Sequence, residues 1–146
     1  MKRAFVAIGS LLAGWIAVFV LLIGVEFFSS IVHPFPPEFG GTPEEVCRHV
    51  ERYPGWVLAL VVPMWGGTAF AGSWIAGRWG NRFTSSLTAL LLVFGVVVNV
   101  VMLPYPIWFQ FLQPAAVVAA AAWAVRLAAR GRAVLDAADA SASTGG

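Results

Sequence analysis

Four polar side chains stand out in a chain that is otherwise strongly apolar: Glu26, Asn99, Gln110 and Gln113. Each lies inside or at the edge of a long hydrophobic run. An ionised carboxylate in lipid costs at least about 2.5 kcal/mol, so Glu26 is expected to face the protein, a partner or the headgroups. A carboxylate near amide oxygens can bind a cation or a proton, and a carboxyl group with a raised pKa can act as a general acid or base. His33, seven residues beyond Glu26, is a further candidate.

The same residues also have a purely structural interpretation. Glu26 lies about one turn from the boundary of its run, so its carboxylate can reach water from the end of a helix. Asparagine and glutamine in membrane helices commonly form hydrogen bonds between helices. A metal site on Glu26 and His33 is conceivable, but Pro34 argues against helix at His33, and no metal or cofactor is predicted. Cys47 is expected to be an unpaired thiol.

The hydrophobic runs that carry these residues predict membrane-spanning helices. Hydrophobic residues make up 60% of the 146 and charged residues 11%, against roughly 45–50% and about 25% in soluble domains. A hydrocarbon core of about 30 Å needs about 20 helical residues, and four runs approach or meet that length: residues 4–28, 56–76, 87–103 and 107–125. We predict an all-α fold, a polytopic membrane protein in which residues 1–132 form an antiparallel four-helix transmembrane bundle. Residues 133–146 are predicted to be a disordered cytoplasmic tail.

The distribution of basic residues predicts how the chain is threaded. Seven fall on one side of the predicted membrane: Lys2, Arg3, Arg78, Arg82, Arg126, Arg130 and Arg132. The other side has only Arg48 and Arg52, among four glutamates. By the positive-inside rule both termini are cytoplasmic and residues 29–53 are external. The first run is too long for a signal-peptide core and is predicted to stay attached. The composition suggests a bacterial inner membrane, and the scattered basic residues argue against nucleic-acid binding.

The loops carry local signals of their own. Thr42-Pro43-Glu44-Glu45 has the form of a capping box with proline at the first helical position, which predicts a short external amphipathic helix from Pro43 to about Arg52. Val46, Val50 and Tyr53 share one face of it, so it is expected to cover the outer end of the bundle. The prolines of Leu103-Pro104-Tyr105-Pro106 end the third helix and make the third and fourth antiparallel neighbours. Trp56, Tyr105 and Trp108 fit an aromatic belt at the outer face.

The second run is rich in small residues and is predicted to be the packing hub of the bundle. Small residues four apart along a helix allow another helix to approach closely. The residues assigned to this role are Gly67, Thr68, Ala71, Gly72 and Ala76. Their contacts are expected within the monomer, and a homo-oligomer seam is the alternative.

The polar residues converge at one predicted depth. From the helical rise, Glu26, Asn99, Gln110 and Gln113 fall within roughly 5–15 Å of the outer surface. Pro63 in the second run leaves the carbonyl of the preceding turn unbonded at a similar level. The sequence has no phosphate-binding loop, zinc-protease motif, nucleophile elbow or haem attachment motif.

Three functions are compatible with this arrangement, in the order in which the sequence favours them. The first is a non-enzymatic protein of the lipid bilayer that binds or conducts a small cation, proton or amphiphile at the outer polar layer, alone or as a homo-oligomer. The second is a structural or accessory subunit of a larger membrane complex, docked through the outer loop. The third is a small enzyme acting on a lipid or quinone, with Glu26 and His33 as acid and base.

Overall fold

Helices account for almost the whole chain, as the length of the apolar runs predicts. The computed structural model describes residues 2–144, without the side chains of residues 3, 135, 136, 138–140 and 142–144. Within that range there are five α-helices and no strand: α1 Lys2–Val32, α2 Pro43–Glu51, α3 Gly55–Trp79, α4 Arg82–Met102 and α5 Ile107–Thr144. The long helices α1, α3, α4 and α5 are each long and apolar enough to cross a membrane. The predicted helical membrane bundle is thus confirmed.

The helix bounds differ from the predicted spans at several ends: α3 ends at Trp79 rather than at residue 76, α4 begins at Arg82 rather than at residue 87, and α1 and α5 are also longer. Helix α1 continues to Val32, where the amide of His33 still donates to the carbonyl of Ser29 at 2.8 Å. It ends there because Pro34 disfavours helix at the residue before it. Helix α5 continues to Thr144, through most of the segment 133–146 for which disorder is predicted, and residues 145 and 146 lie outside the described residues. Five alanines and the absence of proline and glycine in residues 133–144 favour helix there.

Helix α3 lies at the centre of the bundle. It packs extensively against α1, α4 and α5, and α4 also packs against α5. In contrast, α1 contacts α4 only slightly and does not pack against α5. The seam between α1 and α4 is therefore the least closely packed in the bundle. We call the end that carries residues 33–54 the loop end, and the opposite end, which carries both chain termini, the terminal end.

Small residues allow α1 and α3 to approach closely. A Cβ atom added to Gly14 would lie 2.8 Å from the carbonyl oxygen of Gly72 and 2.9 Å from the Cβ of Ala76. Gly72, Ala76 and Thr68 are buried, and Ala71 is half-buried. Gly67, the remaining residue assigned to helix packing, lies on an exposed face with open space around its Cβ position.

Buried hydroxyl groups join the helices at the terminal end. Thr84 donates to the carbonyl of Ala76 at 2.7 Å, and Ser85 donates to the carbonyl of Ser73 at the same distance. The guanidinium of Arg132 donates to the carbonyl of Gly80, which ties α5 to the turn between α3 and α4. In an apolar surrounding these bonds satisfy polar atoms that water cannot reach.

Two apolar clusters fill the interior. The cluster nearer the loop end includes Val25, Leu58, Val61, Val100 and Phe109. Below it, the second cluster draws on all four long helices and consists of Val18, Ala69, Leu92, Val96, Val117 and Ala121. The middle of the bundle is therefore largely apolar, and the buried hydroxyls of Thr68 and Thr88 there donate to carbonyls of their own helices.

The predicted external helix and its capping box are both present. Glu45 accepts hydrogen bonds from the amides of Thr42 at 3.1 Å and Gly40 at 2.9 Å, while Thr42 Oγ1 accepts from the amide of Glu45 at 3.3 Å. One turn further along α2, the ring of His49 stacks on those of His33 and Phe35, with centroid distances of 4.2 and 4.3 Å. Helix α2 is thus fixed to the loop end by aromatic contacts.

Acidification is expected to loosen this capping box. The amide of Thr42, and then that of Gly40, lower the pKa of Glu45 below its ordinary value of 4.5. Because the folded-state pKa is lowered, the stabilising contribution is complete above about 4.5 and is lost as the pH falls through the lower folded value. We expect the amide protons of Gly40 and Thr42 to lose protection from hydrogen exchange over that range. Glu45→Gln should weaken the protection of these amides near neutral pH and remove its pH dependence. The control Glu44→Gln should change neither the protection nor its pH dependence. Loss of protection already above pH 4.5 in the wild type would contradict this role of Glu45.

Candidate functional site

A small polar cavity lies inside the bundle near the loop end. It has a volume of about 70 Å³ and receives residues from all four long helices and both loops at this end. Its polar lining consists of Glu26, Ser29, Tyr53, Asn99, Tyr105 and Gln113. The rest of the wall is apolar and includes Trp65 of α3. We call it the loop-end cavity.

Gln113 is the most deeply buried polar residue of the cavity. It is only 2% exposed, and its Oε1 atom has no hydrogen-bond partner among the described residues. A buried amide oxygen without a partner destabilises a fold by about 1–3 kcal/mol. An ordered water, an ion or another molecule can supply the missing partner.

Glu26 and Asn99 lie at the mouth of the cavity. Both are exposed, Glu26 on α1 and Asn99 on α4, so the opening coincides with the loosely packed seam between these helices. Glu26 lies about 9 Å before the end of α1, and Gln113 lies about 9 Å after the start of α5. The carboxylate and the buried amide are therefore at the same depth, one at the opening and one inside.

Two tyrosines complete the polar wall and remain protonated at neutral pH. Burial, followed by the neighbouring Tyr53 and Glu26, raises the pKa of Tyr105 to about 12. The pKa of Tyr53 is also raised, mainly by burial, although a hydrogen bond with Ser29 acts in the opposite direction. Both side chains present neutral hydroxyl groups, and no arginine, lysine or histidine of the described part of the chain lines the cavity. Glu26 is thus the only carboxylate among the described residues that line the cavity.

The other two predicted site residues lie outside the cavity. Gln110 turns to the loop between α4 and α5, where its Nε2 donates to the carbonyl of Tyr105 at 2.8 Å. His33 belongs to the aromatic contacts of α2, with its Nε2 atom 3.2 Å from the carbonyl oxygen of His49. The structure therefore does not bring Glu26 and His33 into one cavity.

Burial lowers the pKa of His49, and the adjacent His33 ring lowers it further.

The contribution expected from Pro63 also lies elsewhere. Pro63 and Ala59, whose carbonyl it leaves unbonded, are both on the exposed face of α3. The residues of α3 that line the cavity are Leu58, Val61 and Trp65.

Sequence reasoning missed the two tyrosines as cavity residues. Tyr105 was assigned to an aromatic belt and Tyr53 to the apolar face of the external helix. Both assignments follow from their position near a membrane interface, where tyrosine is common. The available signal was the pair of prolines around Tyr105, which forces a tight turn directly above the bundle.

Below the cavity the interior is closed by the second apolar cluster, with Val18 and Val117 fully buried. Two buried hydroxyl groups, those of Thr68 and Thr88, lie in this region but do not line the cavity, and each donates to a carbonyl of its own helix. No three described side chains of histidine, cysteine, aspartate or glutamate lie close enough together to hold a metal ion. The cavity is therefore open towards one end of the bundle only.

Comparison with known proteins gave no match: no protein-family profile fits the sequence, and neither a curated protein nor a solved structure is similar to it.

Proposed function

We propose that the protein binds a small monovalent cation in the loop-end cavity. The observation that carries this proposal is that Gln113, whose Oε1 atom is buried without a partner among the described residues, lines the same cavity as Glu26, the only carboxylate among its lining residues. The hydroxyl groups of Ser29, Tyr53 and Tyr105 supply further oxygen atoms. Oxygen atoms of carboxylates, amides and hydroxyls are the ligands that hard cations prefer.

The size and charge of the cavity support a single small ion. A water molecule needs about 10–15 Å³ on this measure, so a cavity of about 70 Å³ holds one ion with a few waters. That space is too small for the headgroup of a phospholipid or the ring of a quinone. Calcium sites use six to eight oxygen ligands and usually more than one carboxylate, so the single charge of Glu26 favours a monovalent ion.

The closed middle of the bundle supports binding rather than conduction. An ion that leaves the cavity towards the terminal end would have to pass Val18, Leu92 and Val117, which offer no polar group. We therefore propose that the ion enters and leaves the cavity at the loop end of the bundle. The excess of basic residues at the terminal end supports an orientation with both termini in the cytoplasm and the loop end outside. A bacterial cytoplasmic membrane remains a proposal from composition.

A cation titration tests this function directly. The purified protein in a neutral detergent is titrated with lithium, sodium, potassium and ammonium chlorides at constant ionic strength, with choline chloride as the balancing salt. Binding is followed by calorimetry and by the intrinsic fluorescence of the seven tryptophans, of which Trp65 lines the cavity. We expect one ion to bind saturably and Glu26→Gln to weaken it by at least about tenfold, since removing the charge removes more than about 1.4 kcal/mol.

Two controls make the result specific. Glu38→Gln removes an exposed carboxylate that does not line the cavity and should leave the affinity unchanged. Trp65→Phe should reduce the fluorescence response while calorimetric binding persists. The proposal fails if no cation gives a saturable response, or if Glu26→Gln binds as tightly as the wild type.

A further inference from the structure

A groove on the opposite half of the bundle has the features of a lipid site. It runs between α4 and α5 near the terminal end, has a volume of about 380 Å³ and contains Arg82 and Arg126. Its floor and walls are apolar and include Leu90, Val93 and Ala122. The groove is separate from the loop-end cavity, shares no residue with it and does not depend on the proposed cation site.

The two arginines lie at the same depth on neighbouring antiparallel helices. Arg82 precedes the end of α4 by 20 residues and Arg126 follows the start of α5 by 19. Both are therefore about 30 Å below the turn that joins the two helices, which places them at the opposite membrane interface. Two guanidinium groups thus flank the mouth of an apolar groove that faces the bilayer.

Neither arginine has an acidic partner among the side chains that the structure describes. Both side chains are exposed, and neither makes an ion pair or a side-chain hydrogen bond with any described residue. Arg132, by comparison, is engaged with the carbonyl of Gly80. Arginine binds phosphate oxygens in a bidentate geometry, and basic pockets between membrane helices bind anionic lipid headgroups.

We infer that this groove binds one anionic phospholipid in the leaflet at the terminal end. The phosphate lies between Arg82 and Arg126, and an acyl chain lies along Leu90, Val93 and Val118. The two arginines at the mouth of the groove favour an anionic headgroup, because both guanidinium groups are cationic. The apolar walls favour a lipid over a free phosphate ion, because only a lipid has an acyl chain that can cover these walls.

Native mass spectrometry of the full-length protein released from detergent tests this inference. The probes are phosphatidylglycerol, phosphatidylcholine with the same acyl chains, and soluble glycerol phosphate. We expect one phosphatidylglycerol molecule to be retained in preference to phosphatidylcholine, and no comparable binding of glycerol phosphate. At about 1 kcal/mol for each arginine near an anionic surface, Arg82→Gln or Arg126→Gln should weaken retention about fivefold and the double variant about thirtyfold.

Matched variants distinguish specific binding in the groove from a general attraction of lipids to basic residues at the interface. Arg130→Gln removes an exposed arginine of α5 that does not line the groove and should leave retention unchanged. Ala122→Leu fills the groove and should weaken lipid retention with both arginines present, whereas Ala119→Leu, on an exposed position outside the groove, should not. All these positions are exposed, so the variants are expected to fold, which their melting temperatures verify. Equal retention of the two lipids, equal loss in Arg130→Gln, or wild-type retention in the double variant overturns the inference.

Discussion

Replacing Gly14 by alanine is expected to destabilise the bundle by about 1–3 kcal/mol, the usual effect of overpacking a well-packed interior. The new methyl group would lie 2.8 Å from the carbonyl oxygen of Gly72 and 2.9 Å from the Cβ of Ala76. Neither atom is the far end of a flexible side chain, so the overlap can be relieved only by moving α1 away from α3. Because α1 packs mainly on α3, it has no second strong interface that would retain it.

The same helix provides the control for this prediction. Gly24 is exposed, and nothing lies within 4 Å of its Cβ position. Gly24→Ala adds the same methyl group in the same helix and should be neutral or stabilising by up to about 1 kcal/mol, because alanine has the higher helix propensity. On α3, Gly72→Ala should behave like Gly14→Ala, and Gly67→Ala like Gly24→Ala. Unfolding in mixed micelles measures all four, and equal effects of Gly14→Ala and Gly24→Ala would contradict the close approach of α1 and α3.

Replacing Gln113 by leucine is expected to stabilise the protein and abolish cation binding at the same time. The Oε1 atom of Gln113 is buried without a partner, so its removal should recover about 1–3 kcal/mol in the absence of the ion. The same oxygen is the deepest ligand of the proposed site, so the titration that detects binding in the wild type should show none. Stability gained together with function lost is the pattern expected of a binding residue.

Gln110 is the matched control, because it is also a glutamine in the first turns of α5. Its Nε2 already donates to the carbonyl of Tyr105 at 2.8 Å. Gln110→Leu should therefore lose about 0.5–1.5 kcal/mol of stability and leave cation affinity unchanged. A destabilised Gln113→Leu that binds cations normally would assign Gln113 a structural role and contradict the proposed site.

The local features of the fold were predictable because their signals act over a few residues. The capping box of α2 depends on the spacing of Thr42 and Glu45 alone, and the structure contains it as predicted. The number of long helices follows from the length of each apolar run against the thickness of a bilayer. The segment after Arg132 differs from the prediction because its small residues were interpreted as a sign of disorder, whereas alanine also favours helix.

The level of the polar residues along their helices was predictable from the sequence, but which of them line the cavity was not. Depth follows from the rise per residue, so Glu26, Asn99 and Gln113 were expected at one level, and the structure places them around one cavity. Gln110 shares that level yet turns towards the loop, because a separation of three residues rotates a side chain around the helix as well as along it. Hydrogen bonding to a nearby carbonyl then determines its direction.

The sequence by itself determined that this is a helical membrane bundle, how many long apolar helices it has, and how deep each polar residue lies. Only the tertiary structure decided that Tyr53 and Tyr105 turn inward, that Gly14 meets Gly72, and that Gln113 is left without a partner. The reason is physical: a helix that is apolar on all sides has no polar face to fix its rotation about its own axis. Close packing between small residues fixes that rotation instead, and this packing exists only when the four helices are together.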